Sequence, residues 1–210
     1  MSIKVKWDGL LSTAIPVECG TRQGGLSSPL LFNLIYQEMI HDLSCLKSGV
    51  NLQENSFNVF CYADDVLLCS LTPTGLQSLI STANDRIEAN GLRFNPAKTT
   101  CMIYGPNPFI EDPKWYINGV LLNVDKHLIY LGAGLAKDGG RAHTDKRIKA
   151  ATGGFYSLQH AGLHKNGVKP EISSHLFSVG LQSTLAYGCE AVHISPSYMS
   201  RSSTTQNNLL

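Results

Sequence analysis

The tetrapeptide Tyr62-Ala63-Asp64-Asp65 places two adjacent carboxylates between two apolar segments. Residues 57–61 (FNVFC) and 66–70 (VLLCS) are rich in residues that favour β-strands, and the break between them has the length of a tight turn. The pattern predicts a β-hairpin with the two acids at its tip. Adjacent charges beside buried strands are costly unless water or cations neutralise them, so the tip is either a solvated turn or a metal site.

A glycine-bearing loop at residues 20–29 (GTRQGGLSSP) leads directly into a helical pattern. Ser28 is a favoured N-cap residue, and Pro29 suits the first helical position. The glycines would let the backbone approach an anionic or planar ligand while Arg22 and Gln23 donate hydrogen bonds, but a loop that only turns the chain explains them equally. Apolar residues at helical spacing then predict a helix that ends near residues 47–49: Leu31, Leu34, Ile35, Met39, Leu43 and Leu46.

A third segment, residues 91–100 (GLRFNPAKTT), follows a second predicted helix whose apolar positions run from Leu76 to Ile87. Asn90-Gly91 is a strong helix stop signal, and residues 101–104 (CMIY) favour a strand. Lys98 therefore lies in a loop between two ordered elements, where a lysine is usually a solvated charge.

Taken in this order, the three segments resemble the palm of a reverse transcriptase of the kind encoded by non-LTR (LINE-like) retrotransposons. Tyr62-Ala63-Asp64-Asp65 is similar to the family's catalytic tyrosine-x-Asp-Asp motif, and residues 20–33 are similar to the block that packs against the incoming nucleotide and template. Residues 91–99, 130–132 (YLG) and 187–190 (YGCE) resemble later blocks of the family. The resemblance covers about residues 1–193.

The resemblance implies RNA-templated DNA synthesis by nucleotidyl transfer, with magnesium, or manganese, as the two-metal cofactor. An RNA template, a DNA primer and deoxynucleoside triphosphates are the implied partners. Asp64 and Asp65 are the implied catalytic residues and metal ligands, and Asp64 is the implied stronger metal ligand. The other implied nucleotide- and template-binding residues are Arg22, Gln23, Gly24, Tyr62, Ala63 and Lys98, of which Lys98 stands near the leaving pyrophosphate.

An active palm of this family also needs an aspartate from a strand before the glycine loop, and a fingers region that grips the triphosphate. The acids of residues 1–19 are Asp8, within the hairpin-turn signal Trp7-Asp8-Gly9, and Glu18, and neither lies in an apolar strand. We therefore expect an N-terminal palm and fingers segment to be missing and the 210-residue chain alone to be inactive as a polymerase.

The expected fold class is α/β (α+β), with three regions. Residues 1–135 would form a partial palm, an antiparallel sheet packed with helices that start at Ser28 and Thr74, and residues 136–194 a helical, thumb-like region. Residues 195–210 are rich in Ser, Thr, Asn and Gln and predict a disordered tail.

Basic residues concentrate between Lys137 and Lys169, although the net charge is only +1. A thumb follows the nucleic-acid backbone in the resembling family, so Lys146, Arg147 and Lys149 are candidate phosphate contacts on a helix with an apolar face. A solvated basic face explains the same residues equally.

Other chemistries have weaker support. The six cysteines lack Cys-x-x-Cys spacing, and His160 and His164 lack a third ligand, which disfavours zinc. The sequence has no secretory signal and no run long enough to span a membrane, so we expect reduced thiols and a location in the cytoplasm or nucleus. Two other function classes stay open: a non-catalytic nucleic-acid-binding remnant, and an unrelated metal hydrolase that uses Asp64 and Asp65.

Overall fold

The structure is a computed structural model that describes residues 2–17, 20, 24–53, 55–105, 113–136, 140–163, 169–192 and 194–209. The chain forms two compact units, Met1–Arg93 and Phe94–Leu210. Both units contain helices and short strands, so the mixed α/β class is confirmed. The expected division at residue 135 differs from this arrangement. The strands just before residue 135 and the helix after it share the second unit, and the Gly134 amide donates a hydrogen bond to His143 of that helix.

The first unit begins with two short ladders of exposed residues. Strand β1 (Ser2–Ile3) pairs with β4 (Ile15–Pro16), and β2 (Lys6–Trp7) forms a hairpin with β3 (Leu10–Leu11). The two turn residues of this hairpin, Asp8 and Gly9, both have positive φ, at 46° and 80°. Such turns favour Asp-Gly, so the hairpin predicted from Trp7-Asp8-Gly9 is confirmed.

Two helices and two further hairpins complete the first unit. The elements are α1 (Ser28–Cys45), β5 (Val50–Leu52), β6 (Asn55–Phe57), β7 (Val59–Tyr62), β8 (Asp65–Leu68) and α2 (Pro73–Ala89). Helix α1 packs against α2, where the apolar residues buried between them and the strands are Met39, Leu43, Leu79, Ala83 and Ile87. An ion pair between Arg86 and Asp42 also joins the two helices.

Helix α1 confirms part of the predicted apolar face. Met39 and Leu43 are fully buried, whereas Leu31 and Leu34 are 49% and 53% exposed. The buried residues of α1 begin at Tyr36, so the neighbouring elements cover the later turns of the helix and leave its first turns open to solvent. The helix also ends at Cys45, earlier than the expected residues 47–49.

Asn58 joins the end of α1 to the start of β7. Its side chain is buried, and its Nδ2 donates hydrogen bonds to the carbonyl oxygens of Leu43 and Leu46, the latter at 3.2 Å. The last carbonyl groups of a helix have no partner within the helix, and Asn58 satisfies two carbonyls of this region. The backbone carbonyl of Asn58 accepts from the Cys69 amide at 3.0 Å, which fixes β7 and β8 at the same point.

The expected single palm sheet differs from the ladders observed among the described residues, in which each strand pairs with one partner. Strand β5 pairs with β6, and β7 with β8, both antiparallel. Both helices pack on the β7–β8 hairpin. In the described part of the chain, these helices support the hairpin, and no third strand pairs with it.

The second unit contains short strands followed by helices. Its strands are β9 (Thr100–Cys101), β10 (Tyr116–Ile117), β11 (Val120–Leu121), β12 (Asn123–Val124), β13 (His127–Tyr130) and β14 (Ala133–Ala136). The β10–β11 hairpin turns at Asn118-Gly119, as that dipeptide predicts, and β9 pairs with β12 in parallel.

The helices of the second unit are α3 (Arg141–Leu158), α4 (Pro170–Leu176), α5 (Ser183–Ala186) and α6 (Pro196–Leu209). The backbone leaves helical geometry after α3 at Gly162, which has a φ of +97°. A π-helical segment, Phe177–Gln182, connects α4 to α5. Phe155 and Leu158 of α3 pack against Phe177 and Leu181, which confirms the apolar face predicted for α3. Among the described residues, no helix combines the length and apolarity needed to cross a bilayer.

Helix α6 corrects the expectation of a disordered tail at residues 195–210. Tyr198 is buried and donates to the carbonyl oxygen of Leu185 at 2.9 Å, and Arg201 forms an ion pair with Asp145 of α3 at 2.6 Å. One aromatic anchor and one ion pair thus order a segment whose composition is otherwise polar.

Replacing Asn58 by alanine tests the junction between α1 and β7. We expect Asn58→Ala to lower the free energy of unfolding by about 1–3 kcal/mol, because buried carbonyl groups lose their donor. Urea unfolding followed by circular dichroism measures this change. The matched control is Asn55→Ala on the exposed strand β6, which should stay within about 0.5 kcal/mol of the parent. Equal losses in both variants would contradict the assignment.

Candidate active site

The two acids lie at the tip of the β7–β8 hairpin, as the sequence predicts. Tyr62 pairs with Asp65 at the end of the ladder, so Ala63 and Asp64 form a two-residue loop. Ala63 has a φ of 50°, in the left-handed region that side chains other than glycine, asparagine and aspartate rarely adopt. Both carboxylates and the Tyr62 ring are exposed.

The two faces of the hairpin differ in burial. Val59, Cys61, Val66 and Leu68 alternate onto one face and are half-buried. This face lies toward the helices, since Cys61 acts electrostatically on Tyr36 of α1. The opposite face carries the exposed side chains of Phe60, Tyr62 and Asp65. Asp65 therefore points away from the helices, beside Tyr62.

Tyr36 of α1 is close enough to the acidic hairpin to feel its charges. Burial raises the pKa of its hydroxyl, and electrostatic interaction with Cys61 and Asp64 raises that pKa further. The ring of Tyr36 stacks on Phe32 with the centroids 4.4 Å apart. Tyr36 is therefore a buried side chain whose hydroxyl stays neutral near Asp64.

The oxygen donors of Asp64 and Asp65 suit a hard divalent cation. Magnesium prefers carboxylate, phosphate and water oxygens, and it is commonly held by one or two protein carboxylates. Within the part of the chain that the structure describes, no three metal-ligating side chains lie together. Asp64 and Asp65 are the carboxylates of this hairpin that could hold such a cation.

The other predicted nucleotide-binding residues fall in different parts of the chain. Arg22 and Gln23 lie outside the described residues. Gly24 is exposed, with a φ of +77°, just before α1. Lys98 belongs to the second unit and is exposed on a turn that Asn95 organises, since the Asn95 carbonyl oxygen accepts from the Lys98 amide at 3.0 Å.

The three predicted phosphate contacts on α3 have different environments. Lys146 and Lys149 are exposed. Arg147 is only partly exposed, and its guanidinium donates to the carbonyl oxygen of Gly132 at 2.6 Å and stacks on the ring of Tyr187. In the structure, Arg147 thus makes contacts within the protein, which its place in a basic segment did not reveal.

Three thiols in and near these segments have raised pKa values. Burial raises the pKa of Cys61 and Cys69, which belong to or follow the acidic hairpin, and raises the pKa of Cys101 to about 11. A thiol needs a lowered pKa to act as a nucleophile near neutral pH. The raised pKa values therefore disfavour a nucleophilic role for these three thiols.

Comparison with known proteins identifies the family. A family model described as "Reverse transcriptase (RNA-dependent DNA polymerase)" matches residues 3–135, more than half of the chain. The chain belongs to the reverse transcriptase family. The matched stretch contains the acidic hairpin, the glycine-bearing loop and the Lys98 turn.

A curated relative indicates the type of reverse transcriptase. A stretch of 91 residues, 43% of this chain, is 32% identical to the "Retrovirus-related Pol polyprotein from type-2 retrotransposable element R2DM" of Drosophila melanogaster. The matched stretch spans only 8% of that polyprotein. Together the two matches support a reverse transcriptase domain of a non-LTR retrotransposon.

Two supporting residues were not foreseen from the sequence. Asn58 is a single polar residue within an apolar strand run, and a buried partner is the usual reason for such an interruption. Tyr36 occupies the helical position between Ile35 and Met39, so it belongs to the apolar face that the periodicity predicted.

The buried thiol of Cys101 gives a pH-dependent prediction. With a pKa of about 11, roughly one Cys101 in a thousand is a thiolate at pH 8, so alkylation should be far slower than at exposed Cys45. Because the thiolate fraction grows about tenfold for each pH unit below the pKa, the Cys101 rate should keep rising from pH 8 to pH 10. Mass spectrometry of peptides after timed iodoacetamide treatment measures both rates, and equal rates in the native protein would contradict the prediction.

Proposed function

We propose that this chain carries the metal-binding carboxylates of a polymerase palm for RNA-directed DNA synthesis by two-metal nucleotidyl transfer. The observation that carries the proposal is the pair of exposed carboxylates, Asp64 and Asp65, on a two-residue turn inside the segment that matches the reverse transcriptase family. A solvated turn needs neither the adjacent acids nor the left-handed Ala63, for which Gly or Asn would be the better turn residue. Support for a palm-type arrangement comes from the two helices that pack against this hairpin.

Each proposed role follows from the resemblance to the reverse transcriptase family. Asp64 and Asp65 hold magnesium, or manganese, which when bound stabilises negative charge on the attacking and leaving oxygens. Tyr62, exposed beside Asp65, supports the primer end, and the small side chain of Ala63 leaves room for a sugar at the turn. The family resemblance assigns nucleotide and template binding to Arg22, Gln23 and Gly24, and stabilisation of the pyrophosphate charge to Lys98.

A second candidate function is nucleic-acid binding without synthesis. The exposed lysines Lys146 and Lys149 favour it, because they leave two cationic groups free to contact phosphates. Two carboxylates alone do not complete a two-metal site, so we propose that the 210-residue chain binds primer–template but requires a further acidic ligand and a triphosphate-binding region to polymerise. The free thiols of the described cysteines fit the cytoplasm or nucleus as the place of action.

Manganese binding tests the metal site. Because manganese is paramagnetic, we expect it to broaden the amide NMR signals of residues 62–66 selectively, with weak affinity, since only two protein ligands are available. Asp64→Asn should largely abolish the broadening, and Asp65→Asn should reduce it.

The matched control for this titration is Asp85→Asn, which removes an exposed acid from α2. That variant should retain the broadening of the parent. Equal broadening of exposed acids throughout the chain would contradict a specific site at the hairpin.

Binding to an RNA–DNA primer–template tests the basic surface of α3. Titrations at several salt concentrations should give a linear fall of log K with log salt, and replacing both Lys146 and Lys149 by alanine should make that slope shallower by about 1 to 2. The control replaces Lys114 and Lys126, two exposed lysines outside α3. Identical slopes in the two double variants would exclude α3 as the contact surface.

Nucleotide incorporation in the same mixtures separates the two candidate functions. We expect binding without primer extension. Extension by the purified chain with magnesium or manganese would overturn the proposed requirement for a further ligand.

A further inference from the structure

The turn between β13 and β14 is held from outside by two side chains that lie far along the chain. The Tyr187 hydroxyl donates to the carbonyl oxygen of Leu131 at 2.6 Å. Arg147 donates to the next carbonyl oxygen, that of Gly132, at 2.6 Å. The two side chains also contact each other, since the Arg147 guanidinium carbon lies 4.5 Å from the centre of the Tyr187 ring.

His143 adds a third connection between the same segments. Its side chain is only 1% exposed, and its Nδ1 accepts from the Gly134 amide at 3.0 Å. Because Nδ1 accepts, Nε2 carries the hydrogen in the neutral ring and donates to the Tyr187 carbonyl oxygen, also at 3.0 Å. One tautomer of His143 therefore joins β14 to the backbone of Tyr187.

Gly188 lets this ring approach the backbone. A Cβ at this position would lie 3.0 Å from two atoms of the His143 ring, which is closer than side chains normally pack. Gly188 also has a φ of +73°, a conformation that glycine adopts without strain. The close contact between His143 and the turn after α5 thus depends on a residue without a side chain.

Leu131 is in a conformation that its own side chain disfavours. Its φ is 49°, whereas the equivalent turn positions of the β2–β3 and β10–β11 hairpins are occupied by Asp8 and Asn118, which tolerate positive φ. Leucine gains no such local hydrogen bond, so the turn needs support from the rest of the fold. Tyr187 and Arg147 supply that support at the two turn carbonyls.

We propose that Tyr187, Arg147 and His143 form a latch that fixes the Leu131-Gly132 turn and that these three residues act together as one unit. The hydrogen bond from His143 to the Tyr187 carbonyl oxygen sets the position of Tyr187. The Tyr187 hydroxyl then holds the turn, and its ring contacts Arg147. The latch lies within the second unit and does not involve Asp64 or Asp65, so it stands independently of the proposed polymerase function. It also withdraws Arg147 from the basic surface formed by Lys146 and Lys149.

Amide hydrogen exchange measured by NMR tests the latch. Tyr187→Phe removes one oxygen atom and keeps the ring over Arg147. We expect the amides of Ala133 and Gly134 to exchange about three- to tenfold faster in this variant, as for the loss of one hydrogen bond, while the amide of Ala151 in the core of α3 is unchanged. The control Tyr156→Phe, at an exposed tyrosine of α3, should leave all three amides unchanged.

The response of Gly134 decides whether the three residues act together. Gly134 contacts His143, not the Tyr187 hydroxyl, so faster exchange there requires that the contacts open as one unit. An unchanged Gly134 amide in Tyr187→Phe would overturn the latch and leave separate hydrogen bonds.

A second variant tests the strain at Leu131. In a Leu131→Gly background the turn no longer needs external support, so Tyr187→Phe should then accelerate exchange less than twofold. An equal acceleration in both backgrounds would overturn the proposal. The ring nitrogen shifts of His143 provide a third check, since a hydrogen on Nδ1 instead of Nε2 would contradict the assigned bond directions.

Discussion

The hydrogen bonds from the buried Asn58 amide to the end of α1 fix the point at which the acidic hairpin begins. An isolated two-stranded hairpin is marginally stable in water, so its tip has no defined position without such an attachment. Asn58 attaches the base of β7 to the helix, and the Cys69 amide attaches β8 to the same residue. From this base the half-buried face of the hairpin packs on the helices. The attachment at the base and this packing together fix the position of the carboxylates at the tip.

The two turns that lie in family-like motifs share an unfavourable feature. Ala63 in the acidic hairpin and Leu131 in the β13–β14 hairpin both have positive φ, although neither side chain favours it. The β2–β3 and β10–β11 hairpins use Asp8-Gly9 and Asn118-Gly119, which tolerate positive φ, whereas Gln53 at the β5–β6 turn also has a φ of 55°. At the Ala63 and Leu131 turns, packing or hydrogen bonds from other elements compensate for this conformation.

Local signals predicted the parts of the fold that depend on local physics. The Asp8-Gly9 and Asn118-Gly119 turns, the acidic hairpin and the buried positions Met39 and Leu43 follow from turn chemistry and periodicity. Helix α1 begins at Ser28, but its N-cap residue is Ser27 and not the predicted Ser28, and Ser27 makes no side-chain capping hydrogen bond. The family resemblance rested on motifs of the same local kind.

The features that were missed depend on partners distant in sequence. Nothing beside Asn58 indicates that it caps α1, and nothing beside Arg147 distinguishes it from the solvated lysines on either side. Residues 195–210 have the composition of a disordered segment, yet Tyr198 meets a carbonyl group of Leu185 and Arg201 meets Asp145. A prediction from composition averages over all residues of a segment. A single buried residue such as Tyr198 is enough to order the segment.

The pairing of Tyr62 with Asp65 also limits how this hairpin can evolve. Side chains alternate between the two faces of a strand, so an inserted residue that shifted the register of the ladder by one would reverse the facing of every residue in β8. Asp65 and Leu67 would then turn toward the helices, and Val66 and Leu68 toward solvent. The loop can therefore accept side-chain substitutions far more readily than a change of length. Related proteins that carry this hairpin should differ in the identity of the loop residues and not in their number.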